Sequence, residues 1–238
     1  APRSTVVVVH EPAPAAPAPR PAPEPPPAPA PAPAPARADG ADAAEARETS
    51  KGDRVRLSRE IAVIATMRNI ISAQAQFQAT ARADEDFDGV GEYGSFGELS
   101  GAVAVRDGKL LNPPVLSSAF RAVEGGCVER HGYVYRIFLP QRGGLGTPER
   151  HGGGFASREL DPDLAETVWC CYAWPLDGEG RTFCTNQMGA VLATAAGEYS
   201  RDREPHFSAA FSPQSVGITG ETALGGAAGD RREWKHAG

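Results

Sequence analysis

The fold turns on "RVRLSREIAVIATMRNIISAQAQFQATARAD", Arg54 to Asp84. Leu57, Ile61, Ile64, Ile71 and Ala75 recur at helical spacing, and Met67, Ile70, Gln74 and Phe77 extend the stripe on the adjacent side. That pattern predicts a long amphipathic helix. Ser50 or Asp53 is suited to cap its start, and the acidic, Gly-containing stretch after Arg82 ends it. Such a helix has about 30 residues and spans roughly 45 Å at 1.5 Å per residue. Its polar run "SAQAQFQAT" reads as a small-residue face packed closely on a sheet.

N-terminal to the helix the composition changes abruptly. The chain has 238 residues with 22 Pro, and most of the Pro falls in "PAPAAPAPRPAPEPPPAPAPAPAPA", which starts at Pro12. This block has few side chains large enough to offset the entropy of ordering it. Residues 1–45 are therefore expected to be a disordered Pro/Ala-rich spacer, stiff and extended, whose about 25 central residues reach on the order of 80 Å. The sequence begins with Ala, so "STVVVVH" (Ser4 to His10) is compatible with the edge of an upstream signal or membrane anchor. Residues 46–211 have the size of one globular domain, and 212–238, rich in Gly, Ala and charge, are expected to form a flexible tail. With a net charge of -6 and basic residues scattered rather than striped, no nucleic-acid partner is expected. No apolar run approaches the ~20 residues needed to span a bilayer.

C-terminal to the helix, "YGSFGELSG" reads as a loop or helical turn, and Pro113-Pro114 precede a short helix at Val115 to Phe120. The pattern then switches to period 2 in "GYVYRIFLP", "TVWCCYAWP" and "RTFCTNQMGAVLAT", the last two joined by the turn "LDGEG". These predict antiparallel strands, with the Gly-rich segment between them as a surface loop. The expected fold class is α+β, a long N-terminal amphipathic helix packed on an antiparallel β-sheet. Trp169, Tyr172 and Trp174 spread over both sides of one strand, which favours core packing over an aromatic binding face.

Two groups of residues carry candidate chemistry. In "DEDFDGVGEY", Asp84, Asp86 and Asp88 alternate and Gly89 follows, as at the start of an EF-hand-like loop. Val90 would add its carbonyl and Glu92 a carboxylate, which makes Ca²⁺ the candidate cofactor. The twelfth position is Ser95 rather than the bidentate Glu of the full motif, and a solvated turn is the competing reading. Cys127, Cys170, Cys171 and Cys184 are even in number and permit two disulfides. Cys184 with Cys170 or Cys171 is one expected pair, and Cys127 with the remaining cysteine the other; a zinc site and free thiols are the alternatives. "HGGG" at His151 to Gly154 matches an oxyanion-hole motif, but no G-x-S-x-G accompanies it, so it reads as a flexible loop. Neither an enzyme nor a small-molecule substrate is expected.

The order of blocks from "ATMRNIISAQAQFQATARADEDFDGVGEYGSFGELSG" through "LNPPVLSSAF", "GYVYRIFLP" and "WCCYAWP" to "RTFCTNQMGAVLAT" resembles the soluble domain of type IV pilin-like and type II secretion pseudopilin-like proteins. The resemblance covers about Leu57 to Tyr199. It implies a noncatalytic structural or secretion-associated component of the bacterial cell envelope or exterior, with other pilin-like or envelope proteins as partners. The chain departs from that family in having no prepilin cleavage motif and in carrying a proline block where a continuous apolar helix is expected. The competing expectation is a secreted binding or adhesion module that recognises a polymer or protein through loops at Gly143 to Glu159.

Overall fold

The computed structural model describes residues 40–156 and 158–238, with side chains from Lys51 onward. The proline block and the valine run at Ser4 to His10 lie outside the described residues. Residues 44–238 form one compact unit. Helix α1 runs Gly40–Gln78, 39 residues, and so begins well before the expected caps at Ser50 or Asp53. The segment "ADAAEARET" that precedes them is rich in Ala and Glu, strong helix formers that let the helix start earlier. The helix ends where Ala81 adopts a left-handed φ of 47° and the amides of Thr80 and Ala81 close turns onto Phe77 and Gln78. Among the described residues no helix is long and apolar enough to cross a membrane.

α1 buries a different face from the one its first stripe predicts. Val63, Met67, Ile70, Ala73 and Phe77 point into the core together with Glu60 and Gln74, whereas Leu57 is 56 % and Ile61 60 % exposed. Ile64 and Ile71 are half-buried and Ala75 is exposed. Two adjoining apolar stripes share the helix, and the polar residues on the buried one have partners. The Gln74 amide donates to the Gly94 carbonyl (2.8 Å) and accepts from the Gly94 N–H (2.9 Å), while Glu60 accepts from Arg181 (2.8 Å). Buried polar groups are tolerated on these terms.

The sheet is an antiparallel meander with an added edge. Its strands are β1 (Val128–Arg130), β2 (Tyr133–Pro140), β3 (Gly146–Pro148), β4 (Cys170–Pro175), β5 (Arg181–Asn186), β6 (Val191–Ala196) and β7 (Lys235–His236). Their order is β1-β2-β4-β5-β6-β7, and β3 pairs with the second half of β2. Leu176 to Gly180 forms the predicted turn between β4 and β5, but "RTFCTNQMGAVLAT" is two strands, broken at Gly189 with φ 75°. Two single-turn helices, α2 (Phe96–Leu99) and α3 (Pro162–Ala165), sit in the connections. Val115 to Phe120 holds only a 3₁₀ turn, Ser118–Phe120.

Every residue of β4 is buried, and all but one of β2, so both sheet faces are covered. Tyr133, Tyr135, Ile137, Leu139, Cys171 and Ala173 face α1. Val134, Phe138, Cys170, Tyr172, Trp174 and Cys184 face the other way, onto Tyr199, Ala210, Phe211, Ile218, Ala228 and Trp234. Trp169 and Trp174 thus fall on opposite faces, in the core, as the strand pattern predicts. The expected flexible tail at 212–238 is corrected: Ile218 and Trp234 are fully buried, and Lys235–His236 pairs with Leu192 and Ala193 as β7. The segment has no periodicity because it is a packed irregular layer, which a pattern search reads as a tail.

Removing the indole in Trp234→Ala is expected to cost about 3–5 kcal/mol by chemical denaturation. A change below about 0.5 kcal/mol, the surface-mutation level, would show that this segment does not cover the sheet.

Candidate functional site

The acidic loop after α1 is built from short-range hydrogen bonds. Phe87 and Gly89 take left-handed φ values of 63° and 90°, which curl the chain back on itself. Asp84 Oδ2 accepts the Gly89 N–H (3.2 Å), Asp86 Oδ1 the Asp88 N–H (3.4 Å) and Asp88 Oδ1 the Val90 N–H (2.7 Å). One carboxylate oxygen from each of Asp84, Asp86 and Asp88 lies within 4.8 Å of the others. Oxygen-only donors at that separation are able to coordinate a hard divalent cation.

Glu92, the fifth expected ligand, is engaged elsewhere. It is fully buried; Oε1 accepts the Glu85 N–H (2.6 Å) and Oε2 pairs with the Arg106 guanidinium. Both oxygens anchor the loop from beneath, with the Glu92 N–H donating to the Ala83 carbonyl (2.8 Å). The ligand role read for Glu92 is therefore corrected to an anchoring one. Val90 is exposed, and Ser95 in the twelfth position caps α2, where its Oγ accepts the Glu98 N–H (3.2 Å).

Two further carboxylates approach the loop from α3. Asp161 caps this helix by accepting the Leu164 N–H (3.2 Å), and the Ala165 carbonyl accepts the Tyr93 N–H (2.8 Å). Asp163 lies close enough to bear on the Asp86 carboxyl, and Glu166, just after α3, feels Asp88, Asp86, Asp163 and Asp84 in turn. Desolvation is the largest cause that raises the Asp86 and Glu166 carboxyls above their ordinary range, and the neighbouring carboxylates add to it, while the Asp88 N–H pulls Asp86 part of the way back. Asp84 Oδ1 and Glu166 Oε1 are buried atoms without a hydrogen-bond donor. Sequence reading missed Asp163 and Glu166 because "ELDPDLAE" sits within a long Gly-rich insert; its only signal was the Asp-Pro helix start.

Occupation of this loop by Ca²⁺ at about 100 times its dissociation constant is expected to add about 2.7 kcal/mol of stability, or several degrees in melting temperature, and Asp86→Asn to abolish the gain. Identical melting curves with millimolar Ca²⁺, with Mg²⁺ and with chelator would leave only a solvated turn.

The disulfide expectation is overturned: Cys127, Cys170, Cys171 and Cys184 are all free. Strand register explains why. Cys184 stands opposite Tyr172, Cys170 opposite Asn186 and Cys171 opposite Thr185, so no two cysteines are cross-strand partners. Cys170 and Cys184 share a face only diagonally, at a spacing of about 7–8 Å that a disulfide does not bridge. Cys171 points to the opposite face. Burial pushes the Cys184 thiol up to about 12 and raises those of Cys170 and Cys171, which keeps them protonated and unreactive.

The "HGGG" loop also has a packing role. The Glu149 carboxylate accepts the N–H groups of Phe96 and Gly97 (both 3.1 Å) and of Gly154 (3.2 Å). It thereby pins the loop to α2, and a Cβ on Gly153 would lie 3.1 Å from the Gly97 Cα. Farther back, the insert folds onto the C-terminal layer, where the Gly144 carbonyl accepts the Ile218 N–H (2.9 Å). Near Glu149, Arg106 bridges Glu92 and Glu98.

Burial pushes both Glu92 and Glu149 up to about 7, against Arg106 in the first case and three backbone amides in the second. A carboxyl whose folded pKa exceeds its unfolded value binds protons more tightly when folded. Stability from this source is full below about pH 4.5, declines as pH rises through the range up to 7, and levels off above it. Melting temperature is expected to fall between pH 5 and pH 8, at up to about 1.4 kcal/mol per pH unit for each carboxyl. A rise across that range would overturn this assignment.

No family model, curated protein or solved structure matches the chain. The chain is a long helix packed on an antiparallel sheet with an acidic loop between them.

Proposed function

We propose that the chain is a noncatalytic structural or secretion-associated component of the bacterial envelope or exterior, a pilin-like head that engages other pilin-like or envelope proteins through α1. The Pro/Ala-rich segment would serve as its spacer, and a Ca²⁺ ion in the acidic loop would be structural. The observation that carries this reading is the exposed stretch of α1 that leads into its packed part. From Lys51 to Ser58 every side chain is exposed, Val55 and Leu57 among them, and Ile61 one turn later is exposed as well. A helix without tertiary packing is marginal in water even at 12–15 residues. An apolar edge on such an arm is suited to pack against another helix.

Support for a structural role also comes from the chemistry. The four thiols are held protonated or half-buried, and the Gly154 amide of the "HGGG" loop is donated to Glu149. The net charge of -6 opposes binding to nucleic acid.

Cross-linking in native cells, followed by fractionation, tests the reading. Wild type is expected in envelope or extracellular fractions within higher-mass adducts, and Leu57→Asp/Ile61→Asp is expected to lose those adducts while keeping its melting temperature. Recovery in the cytosol, or adducts unchanged in the variant, would overturn it.

A further inference from the structure

A seam runs along the outward side of α1. Arg54, Leu57, Ile61, Ile64, Arg68, Ile71 and Ala75 follow one another at alternating spacings of three and four, the pattern by which one helix lies lengthwise on another. Ile64 and Ile71 are half-buried and the other five are exposed. The seam is roughly 32 Å long at 1.5 Å per residue. Ser58, Ala65 and Ser72 border it on the solvent side, exposed and small enough for a second backbone to come close. At its far end the β5–β6 turn adds Met188, which is 78 % exposed; a Cβ on the adjoining Gly189 would lie 3.9 Å from the Ile71 side chain.

The charges within this seam are uncompensated. Neither Arg54 nor Arg68 has an ion-pair partner among the described residues, and the carboxylates that flank the seam on the same helix are committed elsewhere. Asp53 pairs with Arg56 (2.9 Å) and Glu60 with Arg181 (2.8 Å). The two arginines stand about 21 Å apart along the axis. A second copy of the chain does not answer them. Parallel pairing in register sets Arg54 and Arg68 each against its own like, and antiparallel pairing sets them against Leu57, Ile64 or Ile71, because the seam holds no carboxylate. Like charges facing across an interface, or a guanidinium covered without a partner, make either arrangement costly. A bilayer would have to accept Arg68 in the middle of the apolar strip, whereas interfacial helices carry their cations on the polar face.

We propose that the partner covering this seam is an acidic amphipathic helix of another protein, apolar along its own seam and bearing a carboxylate opposite each of Arg54 and Arg68. The proposal rests on the reading of α1 as an assembly surface and states the chemistry of what it meets. Leu57, Ile61, Ile64 and Ile71 supply the area to be buried. The two arginines supply selection, since a pair of charges at fixed separation admits one register and rejects a basic helix.

Fluorescence anisotropy of the full chain with two labelled peptides tests this. Both are helices of about 25 residues with a leucine seam; one carries Glu, the other Lys, at two seam positions spaced as Arg54 and Arg68 are. The Glu peptide is expected to bind saturably and about tenfold or more tightly than the Lys peptide, and more weakly as salt rises. Arg54→Glu/Arg68→Glu should reverse the preference at unchanged melting temperature. Equal affinity for the two peptides, saturable binding of neither, tighter binding to phosphatidylglycerol vesicles, or self-association of the chain that Leu57→Asp/Ile61→Asp abolishes would each overturn the proposal. In native cells, adducts lost in Leu57→Asp/Ile61→Asp but retained in Arg54→Glu/Arg68→Glu would overturn it while leaving the assembly reading in place.

Discussion

A sheet whose central strands carry large side chains on both faces has to be covered twice, and the rest of this structure follows from that requirement. Tyr135 and Ile137 alternate with Val134 and Phe138 along β2, and β4 repeats the arrangement with Cys171 and Ala173 against Cys170, Tyr172 and Trp174. α1 is the cover for one face. The other needs a second layer, and the chain supplies it from Tyr199 to Trp234 without regular structure. An irregular layer brings backbone polar groups into the interior, and these must be paired. The Tyr172 hydroxyl meets this need by donating to the Phe207 carbonyl and accepting from the Ala210 N–H, both at 3.0 Å.

The same requirement shapes the helix side. The connections that cross this end of the molecule are long and largely irregular, and they are tied down by buried polar side chains rather than by strand pairing. Gln74 holds the backbone of Gly94, Glu149 holds the amides of Phe96, Gly97 and Gly154, and Arg106 collects Glu92 and Glu98. Gln74 joins segments 20 residues apart and Glu149 segments 53 residues apart. The cost is a concentration of buried carboxylates, two of which are driven toward neutrality at physiological pH.

The acidic loop rests on these pins. With Glu92 fastened below it, the loop presents Asp84, Asp86 and Asp88 on its outer side, and α3 adds Asp163 and Glu166. Mutual repulsion among these groups is what a divalent cation would relieve. The outward half of α1 stands in a different condition, apolar along one edge and polar along another, and neither edge is used by the fold.

The sequence by itself determined the elements whose signals are local. Periods of 3.6 and 2 identified α1 and the strands, "LDGEG" identified a turn, and the alternating aspartates stood out because a loop of a few residues brings its own side chains together. Tertiary structure decided everything that depended on which surfaces meet. It chose the Met67 and Phe77 stripe over that of Leu57 and Ile61, because only the former could pair its polar members, Glu60 and Gln74, with neighbours. It set the register that keeps the cysteines apart, recruited Asp163 and Glu166 from far along the chain, and turned residues 212–238 into the second cover of the sheet. The reason is physical: helix and strand periodicities are written by the backbone's own repeat, whereas the choice of partner is made by shape and by the pairing of buried polar groups between distant segments, and neither leaves a periodic trace.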